Sequence, residues 1–255
     1  MIEEPYRWVE AIANRREYIE TQLAPGSPIA ALSYRDGILL VTVGQARQKL
    51  FEIYDRIALG AIGHPGDIER LRMAAIELAS TEGFTRSAAD VSLRRLALYS
   101  LSPLLKTAFE QVYGAPYLAR MIFAEVGATP NEDLFLRVEY DGAITAEGGT
   151  KRPGYCAMSG TTRTTELMEE LLQRDHDPKA TLHAAMKVAL DAWSVGGLPP
   201  AEEAVVALPS HPALLDFRQE KLKTATLETC VLERNAATAI RYRQLEGEEL
   251  AALTA

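Results

Sequence analysis

Residues 29–63, IAALSYRDGILLVTVGQARQKLFEIYDRIALGAIG, decide the fold. The apolar runs 29–33 and 38–43 flank Tyr34-Arg35-Asp36-Gly37. An Asp-Gly pair between apolar runs favours a tight hairpin, because both residues tolerate the backbone twist that such a turn shares with its strands. A second pair of runs, 50–53 and 57–62, flanks Tyr54-Asp55-Arg56, and Gly63-His64-Pro65-Gly66 then breaks the extended pattern. Four strands in two consecutive hairpins are therefore expected.

Downstream the period changes. From Asp67, Ile68, Leu71, Ala75 and Leu78 recur at helical spacing up to Gly83, a glycine stop. A second helix is expected from an N-cap at Ser87 through Val91, Leu96, Leu101, Leu105, Phe109 and Val112, ending before Gly114-Ala115-Pro116. Extended runs return at 119–126, at 134–140 before Asp141-Gly142, and at 155–159. Thr161 or Thr162 then caps a helix through Leu172, and Asp177-Pro178 starts another that runs through Trp193 to a stop at Gly196-Gly197. Residues 226–233 and 238–243 read as a last strand pair, with a short acidic helix over 246–253. Between them, 198–224 hold Pro199, Pro200, Pro209 and Pro212 and a helical stretch over 213–223, the pattern of an insertion.

Upstream, Trp8, Ile12, Ile19 and Leu23 fall four, seven and four residues apart, on one face of a helix over 6–23 that Ala24-Pro25-Gly26 ends. The order is strands, two helices, strands, two helices, strands. A βαβ winding alternates single helices with single strands and does not produce it. Two packed sheets with a helix pair on each outer side do: an α+β, four-layer α-β-β-α sandwich formed by one domain over 1–255.

Composition narrows the function. The 255 residues carry 27 Lys and Arg against 35 Asp and Glu, a net charge of -8, which argues against binding driven by nucleic-acid phosphates. Cys156 and Cys230 lie in apolar runs without metal spacing and read as buried thiols. His64, His176, His183 and His211 are scattered, with no Asp or Glu at metal-ligand spacing, and no phosphate-loop or dinucleotide glycine pattern occurs. No metal, cofactor, nucleic acid or membrane partner is expected. The stretch Met1-Ile2-Glu3-Glu4-Pro5 lacks the basic flank and apolar core of a secretion signal, and no run of 18 apolar residues occurs, so the expected location is the cytoplasm.

Several segments together carry a resemblance: 27–32 with 36–41, 48–58, Gly60-Ala61-Ile62-Gly63 ahead of Leu71-Arg72, Gly83-Phe84 before Asp90-Val91, 138–144, and 227–232. In this order and spacing the chain resembles the bacterial proteasome alpha-subunit family, whose fold is that of the N-terminal-nucleophile hydrolases. The likeness covers most of 5–197 and 224–253. It implies a non-catalytic subunit of a 20S core particle. Seven copies would form an outer ring, stacked on proteolytic beta subunits, that gates the passage of unfolded substrates and docks an ATPase activator.

Beta subunits of this family expose an N-terminal threonine, activated by its own amine with an acid and a lysine nearby. Here the aligned start is Gly26-Ser27-Pro28, with Val43-Gly44 where the acid belongs. A self-processed peptidase using Ser27 is the alternative within the same fold, and a stand-alone adaptor is a third reading. Asp191 and Ser194 faintly echo a beta site's supporting acid and serine. Residues 6–23 match the helix that alpha subunits keep, and the resemblance makes Met1, Ile2, Glu3, Glu4, Pro5, Tyr6 and Arg7 part of an axial gate. It also places Lys49, with Gly26 beside it, in the pocket between adjacent subunits that receives the C-terminal tail of an ATPase activator. A compact ammonium with three donors suits a terminal carboxylate there.

Overall fold

The computed structural model describes residues 5–45, 47–111, 113–146, 154–198 and 208–254. Helix α1 (Pro5–Leu23) leads into the hairpins β1 (Ile29–Tyr34) with β2 (Gly37–Gly44), and β3 (Leu50–Tyr54) with β4 (Ile57–Gly63). Then come α2 (Pro65–Thr85), a 3-10 turn at Ala88–Asp90, α3 (Leu93–Leu96), a π-helical turn at Ala97–Leu101, and α4 (Ser102–Glu110). Strands β5 (Ala119–Glu125), β6 (Leu134–Val138), β7 (Ile144–Ala146) and β8 (Tyr155–Met158) precede α5 (Thr162–Asp175), α6 (Leu182–Gly197) and α7 (His211–Leu222). The described chain closes with β9 (Thr226–Glu233), β10 (Tyr242–Gln244) and α8 (Gly247–Thr254).

The strands form two antiparallel sheets, ordered β10-β9-β2-β1-β8 and β3-β4-β5-β6-β7. Their hydrophobicity explains the layering. β1 is buried at every position, so its apolar residues run without alternation. In β2, Ile38 and Leu40 enter the layer between the sheets, whereas Leu39 and Val41 face α5 and α6. In β4, Ala58 and Ile62 face the other sheet, and Leu59 and Ala61 meet α2 to α4. Each central strand thus packs on both faces, and the four-layer α-β-β-α sandwich follows. Cys156 and Cys230 are buried thiols of the inter-sheet layer, not joined in a disulfide, opposite Ala31 and Leu40 respectively.

Several local expectations are corrected. Tyr34 pairs with Gly37, so the turn residues are Arg35 and Asp36; Gly37 opens β2, where a Cβ would stand 2.0 Å from Leu232 O. Close approach of β9 requires this glycine. Gly83 lies inside α2, not at its stop, because a Cβ there would meet Tyr54 Oη at 2.2 Å. The single helix expected from Ser87 is divided: the Ser87 hydroxyl accepts from Ala89 N in the 3-10 turn, and Ser92 caps α3. Asp177 does not cap α6; its carboxylate accepts from Lys179 N in a local turn, and Thr181 caps the helix four residues later. The stop expected at Gly196-Gly197 holds, for α6 ends at Gly197; Gly196 also admits Met168 and Gly197 the Phe217 ring. The final strand is shorter than 238–243 and shifted to Tyr242–Gln244, while β7, too short for a periodic signal, was not anticipated.

Helix α1 is anchored by polar contacts. Arg15 donates to the carbonyls of Phe109 at 2.8 Å and Gln111 at 2.7 Å, occupying the free carbonyls at the end of α4. Arg120, 4% exposed, reaches Glu20 on α1, Glu139, and the carbonyls of Ser159 and Gly160. Ile19 and Leu23 are buried as the helical stripe demands, but Trp8 at its other end is 45% exposed in the single chain. The gate residues Met1, Ile2, Glu3 and Glu4 lie outside the described residues, and Pro5, Tyr6 and Arg7 form the first turn of α1.

Candidate docking pocket

A cavity of about 830 Å³ opens where α1 ends, β2 ends and β3 begins. Gly26, Ser27, Lys49, Trp193, Gly197 and Phe217 are among its lining residues. The two residues singled out for docking, Gly26 and Lys49, therefore share one cavity although 23 positions separate them.

Gly26 turns the chain out of α1, its N–H donating to Leu23 O at 2.9 Å. A Cβ at this position would lie 2.0 Å from Ile62 Cγ2, so any larger residue would push the loop away from β4 and into the cavity. Lys49 precedes β3 and is half-buried. The Glu228 carboxylate on β9 accepts from Lys49 N at 3.0 Å and Leu50 N at 2.8 Å, tying the start of β3 to the other sheet. The stem of Lys49 runs beside Gly44, where a Cβ would stand 3.6 Å from Lys49 Cε, an ordinary contact. Among the described residues, no ion pair within 4.0 Å involves the Lys49 ammonium.

The electrostatics of this pair follow from burial. Desolvation lowers the Lys49 pKa from its ordinary 10.5, only partly opposed by the Glu228 charge. Burial likewise raises the Glu228 carboxyl above its ordinary 4.5, against the two backbone hydrogen bonds that favour its charged form. An anion arriving at Lys49 would return the stabilisation its ammonium lost on leaving water.

The same cavity contains Ser27, and its surroundings are those of a structural serine. Its Oγ donates to Val43 O at 2.5 Å and accepts from Trp193 Nε1 at 3.2 Å. The end of β2, Val43-Gly44, supplies no carboxylate. Ser159 is also engaged, its Oγ donating to Gly196 O at 3.1 Å and accepting from Thr164 Oγ1 at 2.8 Å. Asp191 and Ser194 both meet Arg218 of α7, so that acid and serine hold a helix.

Sequence reasoning missed what α7 contributes. Phe217 packs against Trp193 with ring centroids 5.6 Å apart, and Lys221 joins it in lining the cavity. Nothing in the local pattern of 198–224 shows that this helix folds back onto α6. Glu228 lay within a recognised segment, but its hydrogen bonds depend on contact between the sheets.

Two layers of antiparallel sheet between two helix layers, with this cavity at the end of the first hairpin, define the N-terminal-nucleophile hydrolase fold. No family model matches the chain. Curated relatives do: a proteasome subunit alpha of Actinosynnema mirum is 32% identical, the match covering 96% of this chain and 84% of that protein. Another, of Frankia alni, is 31% identical over 96% of this chain and 93% of its own, and one of Frankia casuarinae is 34% identical over 78% and 80%. The chain belongs to the proteasome alpha-subunit family. Among the described residues, no helix is long and apolar enough to cross a membrane.

Proposed function

We propose that this chain is the non-catalytic alpha-type subunit of a 20S core particle, acting in the cytoplasm. Seven copies form an outer ring that stacks on beta subunits, and proteolysis takes place on their side of the assembly. The observation that carries the reading is the setting of the nucleophile position: the Ser27 hydroxyl is engaged by Val43 O and Trp193 Nε1, and the end of β2 beside it, Val43-Gly44, supplies no acid. A retained α1, fastened by Arg15 and Glu20 just upstream, supports the same conclusion. The purified chain should assemble into heptamers or double rings, keep its full mass and hydrolyse no peptide. Loss of residues 1–26 on purification, with peptidase activity that Ser27→Ala removes, would favour the self-processed peptidase.

The ring has two further roles in this reading. Met1–Arg7 form the gate over the axial pore, carried by an α1 whose C-terminal half is fastened to the body. Removing residues 1–7 should speed hydrolysis of short peptides by the assembled alpha and beta particle and leave cleavage preference unchanged, because access and specificity belong to different subunits. Unchanged rates in an intact truncated particle would end the gating claim. The cavity of Gly26 and Lys49 receives the terminal carboxylate of an ATPase activator that feeds unfolded proteins to the pore. Its half-buried, unpaired ammonium supports that role.

A further inference from the structure

We propose that α7 builds a second anion-binding point in this cavity, so that the segment docking there is an acidic C-terminal tail, with an Asp or Glu side chain close to its terminal carboxylate. The inference rests on the docking reading and adds the chemistry of the partner.

The charges lining the cavity carry it. Arg47, Lys49 and Lys221 contribute three cations, and no ion pair among the described residues engages any of them. Glu69 is the one carboxylate among the described lining residues, and Arg72 already holds it through hydrogen bonds of 2.6 and 2.9 Å. This local excess of positive charge occurs on a chain whose net charge is -8. The lining shared with these cations is partly apolar and aromatic, including Ile62, Trp193 and Phe217. Such surroundings strengthen attraction to an anion over its value in open water.

Lys221 is placed by structure and not by chance exposure. Its Nζ lies 5.6 Å from the Phe217 ring centroid, and Phe217 is stacked near Trp193. Leu214 of the same helix is buried, and Arg218 grips Asp191 and Ser194 on α6. The helix therefore presents Phe217 and Lys221 from a fixed platform on the side of the cavity formed by α6, while Lys49 approaches from β3. One carboxylate cannot serve two cations on separate elements as well as two carboxylates can. An extended tail with a terminal and a side-chain carboxylate satisfies both.

The test uses rings of the full chain and ten-residue peptides labelled with fluorescein at their N-termini, followed by anisotropy. One set ends in a free carboxylate with a single Glu placed second, third or fourth from the end; the controls replace that Glu by Gln or amidate the terminus. At least one Glu peptide should bind about tenfold more tightly than its Gln counterpart, the lower range for a charge-assisted contact. Lys221→Gln should abolish that difference while leaving the preference for a free terminus, and Lys49→Ala should do the reverse. Unchanged ring assembly and thermal unfolding would establish that exposed Lys221 acts on binding alone. Equal affinity for Glu and Gln peptides at every position, or a Glu preference that survives Lys221→Gln, would overturn the inference while free-terminus binding through Lys49 kept the docking reading. Competition by inorganic phosphate as effective as the Glu peptide would also overturn it, by showing a simple anion site. Failure of every peptide to bind would end both readings.

Discussion

Rings carrying Lys49→Ala are expected to assemble normally, pair with beta subunits, and lose ATPase-dependent degradation of folded proteins. The contact removed is a charge-assisted one, about 1.5 to 3 kcal/mol for each pocket, or about ten- to a hundredfold in the affinity of a single tail. An activator that engages several equivalent pockets compounds the loss through avidity. Cleavage of short peptides that need no activator reports whether the particle is intact. The fold should tolerate the change, since burial already disfavours the Lys49 charge and its backbone N–H, not its ammonium, bonds Glu228. The sign of the pH effect follows. In the native chain Lys49 titrates below its ordinary 10.5, so its charge costs stability at neutral pH, and that cost disappears as pH rises through the lowered value toward 10.5. Docking needs the charged form and should weaken as pH rises into the alkaline range, beginning earlier than for an exposed lysine. Raised salt should weaken activator binding more in the native ring than in the mutant. Normal activator affinity in intact Lys49→Ala rings would end the docking role, and a lowered ring yield would point to packing.

Asp133→Ala should have the largest effect on stability. Asp133 is fully buried just before β6, and its carboxylate accepts from Ser33 Oγ at 2.7 Å, Gly127 N at 2.9 Å, and two nitrogens of Arg234 at 2.8 and 2.9 Å. Arg234, 5% exposed on its side chain, follows β9, so one ion pair joins the two sheets, and its own N–H donates to Asp36 O in the first hairpin. Removing the acid leaves a buried guanidinium without its counter-charge, at a cost of about 3 to 5 kcal/mol. Against a total stability of about 5 to 15 kcal/mol that is a large fraction. Thermal unfolding should shift down by about 6 to 20 °C at this chain length. The double variant Asp133→Leu with Arg234→Met should recover much of the loss, because it removes both buried charges together. An unchanged melting temperature in Asp133→Ala, or a double variant no better than the single, would refute this account.

Neither Asp133 nor Arg234 was visible in the sequence as a pair, with 101 positions between them. The element types were far more legible, because they depend on contacts within a few residues. The runs at 29–43 and 50–62 became β1 to β4 with their boundaries moved by a residue or two, and the periodic stretches became helices. The errors lie at helix caps and stops and at short strands. Gly83 resembles a helix stop by local chemistry but sits inside α2, whereas Gly196-Gly197 does end α6, since a glycine also serves where a side chain such as Tyr54 must approach the backbone. A single sequence does not distinguish the two uses.

By itself, the amino-acid order determined the two hairpins, the paired helices and hence the sandwich, because apolar runs, the turn residues between them and the helical period are local properties that burial then enforces. It also supplied the family likeness, and with it Lys49 and Gly26 as residues to examine. Only the tertiary structure decided what surrounds them. Packing of the sheets brought Glu228 to the Lys49 backbone, and the turn at Gly26 closed against Ile62. Docking of α7 on α6 committed Asp191 and Ser194 to Arg218 and added Phe217 and Lys221 to the cavity. These contacts join residues far apart in the chain. Their geometry is set by how whole layers pack, and no local pattern encodes it.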